Sequence, residues 1–303
     1  MKKLNLGTLV AMAGLSLALV FTPSLLAQKK MIQVKGSDTM INLVQILAEE
    51  YMLRNPKAAI AVLGGGSGTG ISALINGTCD IADTSREWKE SEVNLAWEKG
   101  VTPRNFAIAV DGLSIIVNEK NPLAKLTMDQ VGSIYRGEIK NWKAVGGPDK
   151  AISLYGRQSN SGTYVFLQEH VLKNKNYSTD MKEMNGNAQI IEGVKADEAA
   201  IGYVGVGYVV DKATGKPMAG LKVLNISKDE KSEAFSPMDK QAVDTRNYPI
   251  ARPLYQTTKG KPSGDVAAFI QWEVGPEGQK IVEREGFYTI GGAYKQMNDK
   301  NFK

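Results

Sequence analysis

The apolar positions of the chain follow two spacings in alternation, one typical of strands and one typical of helices. Short apolar runs predict buried strands at 31–36, 58–63 and 80–85. After the first run, apolar residues recur three and four positions apart from Met40 to Tyr51, which predicts an amphipathic helix. Further helices are predicted at 71–76 and 89–100. Strands and helices in this order indicate βαβ units and a largely parallel sheet in an α/β fold.

The second half of the chain shows the same alternation without an internal sequence repeat. A β-prone run at 106–118 is interrupted at Asp111-Gly112. Beyond it the predicted elements are a helix at 127–137, a strand at 151–157, a helix at 161–172 and a strand at 201–210. Near the end, 248–258 is predicted to be an extended crossing segment. It is followed at 263–286 by two predicted helices, which Gly275-Pro276 separates.

The N-terminus has the pattern of an export signal. Lys2 and Lys3 precede an uncharged apolar stretch, and Ala27 is the small residue expected near a cleavage site. We therefore predict a cleaved signal peptide at 1–27 and a mature protein in the periplasm, with an uncleaved membrane anchor as the alternative. No cysteine lies near this site, which excludes a lipoprotein anchor.

Net charge and two rare residue types exclude several classes of function. The formal net charge of +5 is too small to indicate nucleic-acid binding but is compatible with an anionic ligand. Cys79 is the only cysteine, so no intramolecular disulfide can form. Because His170 is the only histidine, a Cys/His metal site is excluded, and we expect no metal and no other cofactor.

Three loops rich in glycine and hydroxyl residues each follow a predicted strand and open a helix. They are "KGSDTM" (35–40), "LGGGSGTGIS" (63–72) and "GRQSNSGTY" (156–164), and "DTSR" (83–86) forms a fourth polar strand end. Ligands in open α/β sheets bind beyond the carboxyl ends of strands. These segments therefore predict one small oxyanion site, with Arg86 and Arg157 as cations. Taken singly, the same serines and threonines are also ordinary helix N-caps.

The longest of these loops does not match three motifs of nucleotide binding or catalysis. Ile71 stands where a Walker loop needs lysine, and the glycines do not have the Rossmann spacing. Thr69 occupies the last glycine position of a nucleophile elbow. His170 lies inside a predicted helix without an obvious catalytic neighbour. Binding without catalysis is therefore favoured, and we expect that the protein is not an enzyme.

Several segments resemble a known family. They are "VKGSDTM", "GGGSGTGISALINGTCDIADTSR", "IKNWKAVGGPD", "GRQSNSGTY", "YPIARPLY" and "PEGQKIVEREGF". In combination they resemble the periplasmic phosphate-binding proteins of phosphate ABC transporters (PstS type), over essentially the whole mature chain. The resemblance implies a monomer that captures inorganic phosphate and delivers it to an inner-membrane ABC permease.

The fold implied by the resemblance is the two-domain type II periplasmic-binding-protein (Venus flytrap) fold. It has mixed, mostly parallel sheets and two crossover strands, and phosphate is buried in the cleft between the domains. The first domain would comprise 28–112 and 250–303, and the second 113–249. The crossings would lie at Asp111-Gly112 and near Pro249, where the sequence itself shows breaks.

The resemblance also implies which residues contact the ligand. Carried over by motif, these are Thr39, the main chain at Met40, Ser67, Ser85, Arg157, Ser161, Gly162 through its N–H, and Thr163. Further candidates are Ser37, Asp38 and Arg86.

Two positions depart from the family pattern. Ser85 stands where the family has an aspartate that accepts the proton of hydrogen phosphate, and Ser159 replaces an aspartate beside the clamp arginine. Asp38 would be the replacement acceptor, with Asp83 as a second candidate. The departures leave another oxyanion, such as sulfate, molybdate or tungstate, as an alternative ligand.

Two other classes of protein remain as alternatives. A secreted serine hydrolase or phosphatase would use Ser67 or Ser161 as its nucleophile, and the shortage of histidine argues against it. An interaction or sensory module would keep the fold without binding an ion. The presence of Arg157 and of the serine-glycine-threonine at 161–163 argues against that class.

Overall fold

The computed structural model describes residues 31–303. The predicted signal peptide at 1–27, its cleavage site and the anchor alternative lie outside these residues. Among the helices of residues 31–303, none combines the length and the apolar character that a bilayer span requires.

Strands and helices alternate through most of the described chain. In chain order the strands are β1 (Ile32–Gly36), β2 (Ile60–Leu63), β3 (Ile81–Thr84), β4 (Pro103–Gly112), β5 (Ser114–Asn118), β6 (Lys125–Thr127), β7 (Ser153–Arg157), β8 (Lys182–Met184), β9 (Ala200–Val204), β10 (Leu221–Val223), β11 (Asn225–Ser227) and β12 (Ala251–Lys259). The α-helices are α1 (Ile41–Arg54), α2 (Ser67–Ile75), α3 (Glu90–Glu98), α4 (Met128–Tyr135), α5 (Gly162–His170), α6 (Asn187–Ala196), α7 (Lys240–Asp244), α8 (Gly264–Glu273), α9 (Pro276–Arg284) and α10 (Gly292–Phe302). Short 3₁₀ turns lie at Trp142–Val145 and Val206–Tyr208.

The first sheet has the strand order β2-β1-β3-β12-β4. In it β1 is parallel to β2 and β3, whereas β12 runs antiparallel to β3 and β4. Helices α1 and α2 connect the parallel strands, as the predicted βαβ order requires. The residues that α1 buries are Leu43, Val44, Leu47, Ala48 and Tyr51, which form the predicted apolar face.

The second sheet has the strand order β10-β5-β9-β7-β8. Here β7 is parallel to β8 and β9, and β5 is antiparallel to β9 and β10. A separate two-stranded sheet pairs β6 with β11. Two mixed sheets with connecting helices confirm the predicted α/β fold class.

The chain passes between the two sheets twice at one place. Strand β4 ends at Gly112 and leads into β5, and the return enters β12 at Ala251. Gly112 and Ala251 are register partners, and the N–H of Leu113 donates to the carbonyl of Ile250 at 3.0 Å. The strands of the first sheet lie within 32–112 and 251–259, and those of the second within 114–223. The domain boundaries at 112/113 and 249/250 stay a prediction.

Some elements differ from the predicted ones. Helix α2 begins at Ser67 instead of Ile71, because Gly65 and Gly66 turn the chain with positive φ and the serine starts the first helical turn. The predicted strand at 201–210 ends at Val204, before a 3₁₀ turn. Helix α6 was not predicted, although its buried Ile190, Ile191 and Val194 have helical spacing. Helix α10 was not predicted either.

Candidate anion-binding site

Glycines allow the predicted loops to approach one another closely. Gly36 ends β1 with φ +148°, and a Cβ on it would overlap the carbonyl oxygen of Asp83 on the neighbouring strand. A Cβ on Gly70 in α2 would overlap the carbonyl oxygen of Lys35. The β1, β2 and β3 strand ends therefore meet at one edge of the first sheet.

Five residues from four loops form what we call the hydroxyl cluster: Thr39, Ser67, Ser85, Gly162 and Thr163. Thr39 Oγ1 and Thr163 Oγ1 are 2.9 Å apart, and Ser67 Oγ lies 3.4 Å from Ser85 Oγ. A Cβ on Gly162 would overlap Ser67 Oγ and lie 2.7 Å from Ser85 Oγ. The cluster therefore has two sides. Thr39, Ser67 and Ser85 follow strands of the first sheet, and Gly162 and Thr163 begin α5. All four hydroxyl side chains are buried.

Helix N-termini point their main-chain N–H groups toward this cluster. Ser67 is the first residue of α2, and Gly162 is the first residue of α5, after the N-cap Ser161. The N–H of Gly68 donates to the carbonyl of Asn160, and the N–H groups of Thr163 and Tyr164 donate to Ser161 Oγ. Within residues 31–303 the N–H groups of Ser67 and Gly162 have no such acceptor, so these two are available to an anion, and the helix dipole favours negative charge there. The Met40 amide differs, because it donates to the carbonyl of Ser37 at 3.0 Å in a turn before α1.

Hydrogen bonds inside the protein orient four of the predicted hydroxyls as donors. Ser37 Oγ accepts from the N–H of Thr39 at 3.3 Å, and Ser161 Oγ accepts from the N–H of Thr163 at 3.2 Å. Ser67 Oγ accepts from the N–H of Ser85 at 3.1 Å. Thr163 Oγ1 accepts from an arginine side chain described below. A hydroxyl that already accepts in this way still has its own proton to donate outward.

Arg157 and Asp38 form a buried ion pair between the two sides of the cluster. Arg157 Nη2 donates to Asp38 Oδ2, and the arginine side chain is only 2% exposed. The guanidinium is also held by the carbonyls of Met184 and Asn185, at 3.3 and 3.1 Å. Asp38 Oδ1 accepts from the N–H of Gly65 at 2.7 Å. Both carboxylate oxygens of Asp38 therefore already accept a hydrogen bond from the protein.

The main chain of Asp38 joins the same contact between the two sides. Its carbonyl accepts from Asn187 Nδ2 at 3.1 Å and from Tyr208 Oη at 2.7 Å. Nearby, the carbonyl of Asn160 accepts from the N–H of Gly68 at 3.0 Å. The loop after β1 and the glycine loop are thus hydrogen-bonded to the part of the chain that carries the second sheet. We call that part the second unit and the part that carries the first sheet the first unit.

Two further candidates point to other partners. The Arg86 guanidinium donates to both carboxylate oxygens of Glu92 at 2.7 Å, at the start of α3. The Asp83 carboxyl is hydrogen-bonded to Gln256, whose amide also donates to Glu273 at 3.3 Å. We call Asp83, Gln256 and Glu273 the acid cluster; burial raises the pKa of Asp83 to about 8.

A second arginine, which was not among the predicted site residues, lies at the hydroxyl cluster. Arg252 on β12 donates from Nε and Nη2 to Asp111 Oδ2, at 3.0 and 2.9 Å. Its Nη1 donates to the carbonyl of Ser85, and Nη2 also donates to Thr163 Oγ1, both at 3.0 Å. A charged residue inside the otherwise apolar crossing segment "YPIARPLY" was the available signal.

A cavity of about 830 Å³ lies beside Arg252, and none of the five residues of the hydroxyl cluster lines it. Arg252 and Phe166 form part of its lining, and His170 lines it as well. This volume is that of a site for a drug-sized molecule and far exceeds that of a single tetrahedral ion. The cavity is therefore too large to be a site for one small oxyanion.

Comparisons with known proteins identify the family of this chain. The profile of the PBP superfamily domain matches residues 23–277. The phosphate-binding protein PstS of Pseudomonas aeruginosa is 30% identical over 272 residues, which cover 84% of this chain and 81% of that protein. PstS of Borreliella burgdorferi is 29% identical over 285 residues, covering 91% and 96% respectively.

Solved structures give the same result. A phosphate ABC transporter substrate-binding protein of Clostridium perfringens, solved with bound phosphate, aligns with a TM-score of 0.74 at 27% identity, covering 86% of this chain and 100% of the other. An ABC-type phosphate transport receptor of Vibrio cholerae aligns with a TM-score of 0.67 at 28% identity, with the same coverage. The chain belongs to the PBP superfamily and, within it, to the PstS-type phosphate-binding proteins.

Proposed function

We propose that this protein binds inorganic phosphate at the hydroxyl cluster and delivers it to an ABC permease. The observation that carries the proposal is the convergence of Thr39, Ser67, Ser85, Gly162 and Thr163 from two sheets, beside two buried arginines. Buried hydroxyl and N–H donors at helix N-termini are the groups that recognise a tetrahedral oxyanion. Relatives named for phosphate binding support the same ligand.

The predicted contact residues have different roles in this proposal, and one of them has none. Ser67 and Thr163 donate hydroxyl protons, Gly162 donates its N–H, and Arg157 supplies positive charge. Ser161 caps α5 by accepting from the N–H groups of Thr163 and Tyr164, which leaves the N–H of Gly162 to the ion. Met40 and Ser37 form the turn before α1. The N–H of Met40 donates to the carbonyl of Ser37, and Ser37 Oγ accepts from the N–H of Thr39. Arg86 has no role at the ion, since Glu92 holds its guanidinium.

Binding would be coupled to closure of the two units about the crossings at Gly112 and Ala251. The contacts of Asp38 with Arg157, Asn187 and Tyr208 join opposite sides of the cleft and would form on closure. Opening would break these contacts and expose the ion to the permease. Because the two units would move about these crossings, we propose domain boundaries at 112/113 and 249/250.

The proton of hydrogen phosphate would be accepted by a neutral hydroxyl in this protein. Thr39 Oγ1 and Ser85 Oγ differ from the other hydroxyls, because no N–H donor occupies them within residues 31–303. A hydroxyl can accept the phosphate proton, but it does not repel a fully deprotonated oxyanion as a carboxylate would. We therefore expect weaker discrimination against sulfate than an aspartate at position 85 would give.

Calorimetric titration of the mature chain, residues 28–303, with phosphate tests the proposal directly. We expect micromolar or tighter binding, with sulfate competing at higher concentration. Heat with sulfate, molybdate or tungstate but not with phosphate would show that the ligand is another oxyanion. No heat with any of these ions would contradict the proposal.

A catalytic role for Ser67 or Ser161 is not part of the proposal. The hydroxyl groups of both residues bond to main-chain N–H groups, and the only histidine, His170, packs against the ring of Phe166 at 4.3 Å. Without a base beside either hydroxyl there is no activated nucleophile. Hydrolysis of p-nitrophenyl phosphate or p-nitrophenyl acetate by the purified chain, lost on Ser67→Ala, would contradict this view.

We further propose that the protein acts as a monomer in the periplasm after removal of residues 1–27. The N-terminal sequence pattern supports export. Size-exclusion chromatography with light scattering would test the monomer, and N-terminal sequencing of the periplasmic protein would test the cleavage. A dimer in solution, or an intact N-terminus in the membrane fraction, would contradict these two statements.

A further inference from the structure

Arg252 contacts both sides of the hydroxyl cluster although it lies on a crossing strand. We infer that Arg252 is a positioning residue of the anion site: it provides positive charge to bound phosphate and fixes Thr163 as a donor toward it. The inference rests on the proposed phosphate site. It does not follow from the loop motifs, because Arg252 is 89 positions from Thr163 and 167 from Ser85.

The Asp111–Arg252 pair has its positive end toward the cluster. Asp111 Oδ1 accepts from the N–H of Val206 at 2.8 Å, and Oδ2 accepts from two nitrogens of Arg252. The remaining guanidinium bonds reach Ser85 and Thr163, so the guanidinium stands between the carboxylate and the hydroxyl cluster. An ion in the cluster would therefore lie closer to the Arg252 guanidinium than to the Asp111 carboxylate.

Arg252 also decides the polarity of one hydroxyl. Because Arg252 Nη2 donates to Thr163 Oγ1, the proton of that hydroxyl must point elsewhere. The available acceptors are Thr39 Oγ1, at 2.9 Å, or an oxygen of a bound ion. An arginine at this position thus converts Thr163 into a donor toward phosphate.

Burial makes the charge of Arg252 effective over this short range. The side chain is 1% exposed, and the ring of Phe166 covers the guanidinium carbon at 5.1 Å. Few water molecules can screen a charge in such a place, so its field at the cluster is stronger than that of a surface arginine. Burial lowers the pKa of the Arg252 guanidinium, and Asp111 opposes that effect.

The position of Arg252 also separates its role from that of Arg157. Arg252 and Asp111 are register partners on β12 and β4, where the two crossing strands lie side by side. Arg157 is part of the second sheet and would move with that unit during closure. We therefore expect the Arg252 charge to be in place before closure, and the Arg157 charge to arrive with closure.

Four variants separate charge from structural support, with phosphate calorimetry and thermal unfolding as measurements. R252Q should lower Tm and weaken phosphate binding at least 30-fold, because Asp111 is left buried without its cation. D111N/R252Q has no unpaired charge, so we expect most of the lost Tm to return while binding stays at least tenfold weaker. R252K should weaken binding three- to tenfold. R86K, which alters another buried arginine pair, is the matched control and should bind within twofold of wild type.

Recovery of wild-type affinity together with Tm in D111N/R252Q would overturn the inference, since Arg252 would then only brace the crossings. If neither glutamine variant folds, R252K decides: binding within twofold of wild type would overturn the inference as well. Absence of phosphate binding by wild type would instead contradict the proposed function itself. The two failures are therefore distinguishable.

A double-mutant cycle tests whether Arg252 acts through Thr163. T163V removes the hydroxyl, so the added loss from R252K should be smaller in the T163V background than in wild type. The same cycle with S161A is the control, because Ser161 has no bond to Arg252, and its losses should multiply. Losses that multiply equally in both cycles would overturn the role assigned to Thr163.

Discussion

The acid cluster and the hydroxyl cluster each take one residue from the end of β3, Asp83 and Ser85 respectively. They differ in how their buried carboxyl groups are paired. At the hydroxyl cluster, both carboxylates are paired with arginines, as Asp38–Arg157 and Asp111–Arg252. In the acid cluster, Asp83 and Glu273 are hydrogen-bonded to the amide of Gln256, and neither carboxyl forms an ion pair within residues 31–303. Asp83 Oδ1, Gln256 Oε1 and Glu273 Oε2 have no hydrogen-bond partner among the described residues.

The difference lies in which form of a carboxyl each environment favours. A carboxylate beside an arginine keeps its charge and can anchor that arginine for a ligand. Without a cation, burial favours the protonated form, and the pKa of Asp83 rises to about 8 while that of Glu273 rises well above its ordinary value. The carboxyl groups that burial keeps protonated lie in the acid cluster, whereas the carboxylates paired with arginines lie at the proposed ion site.

The largest effect expected at the hydroxyl cluster comes from Gly162→Ala. The added methyl group would occupy the space between Ser67 Oγ and Ser85 Oγ, so phosphate affinity should fall more than 100-fold, about 2.7 kcal/mol. Calorimetry measures the loss, and circular dichroism checks the fold. Gly292→Ala is the matched control, because Gly292 also begins a helix and a Cβ there meets nothing within 4 Å. A Gly162→Ala variant that binds within threefold of wild type would place the ion elsewhere.

The acid cluster should make stability fall as pH rises. The pKa of Asp83 is raised from 3.8 to about 8, so the folded state holds a proton that the unfolded state has released between these pH values. Stability from this proton is complete below about pH 4 and is lost as pH rises to about 8. In Asp83→Asn this dependence should flatten, and Tm at pH 8 should rise by several degrees, at roughly 2–4 °C for each kcal/mol in a chain of this size.

Thermal unfolding at pH 5, 6.5 and 8 measures the effect. Glu273→Gln is a second variant with the same expected direction, because burial raises the pKa of its carboxyl too. Phosphate affinity should change little in either variant, since within residues 31–303 no side-chain hydrogen bond joins the acid cluster to the hydroxyl cluster. A Tm that falls at pH 8 in both variants would mean that these carboxyls are charged in the folded protein.

Asp38→Asn should change closure more than selectivity. Both Asp38 oxygens already accept hydrogen bonds, so the ratio of phosphate to sulfate affinity should stay within twofold of wild type. Loss of the pair with Arg157 makes closure less favourable but frees the arginine for the ion, and these opposed effects keep the affinity change below tenfold. Small-angle scattering without ligand should show a larger radius of gyration. A shift in the phosphate-to-sulfate ratio of tenfold would make Asp38 the proton acceptor.

The smallest effect is expected from Arg86→Lys. Its guanidinium is bound to Glu92, so phosphate affinity should remain within twofold of wild type. A modest decrease in Tm is expected from the loss of two charge-assisted hydrogen bonds. A tenfold loss of phosphate affinity in the titration would show that Arg86 acts on the ion.

The sequence by itself determined the alternation of strands and helices, and the positions of the glycine-rich loops at strand ends. Both depend on local spacing and on residues such as Gly36 and Gly70, whose missing side chains leave room for neighbouring backbone. The loops that carry Thr39, Ser67, Ser85, Gly162 and Thr163 could be found in this way, whereas the choice of these residues as contacts came from the family resemblance. The fold class followed from the same local order, because it requires no knowledge of distant contacts.

The tertiary structure alone decided which charges meet. Arg86 was a predicted cation of the anion site and Arg252 was not predicted, yet Arg86 is bound to Glu92 and Arg252 lies at the hydroxyl cluster. Asp111 and Arg252 are 141 positions apart, and only the pairing of β4 with β12 makes them neighbours. The energy of a charge depends on its burial and on its partner, and neither property is encoded in local spacing.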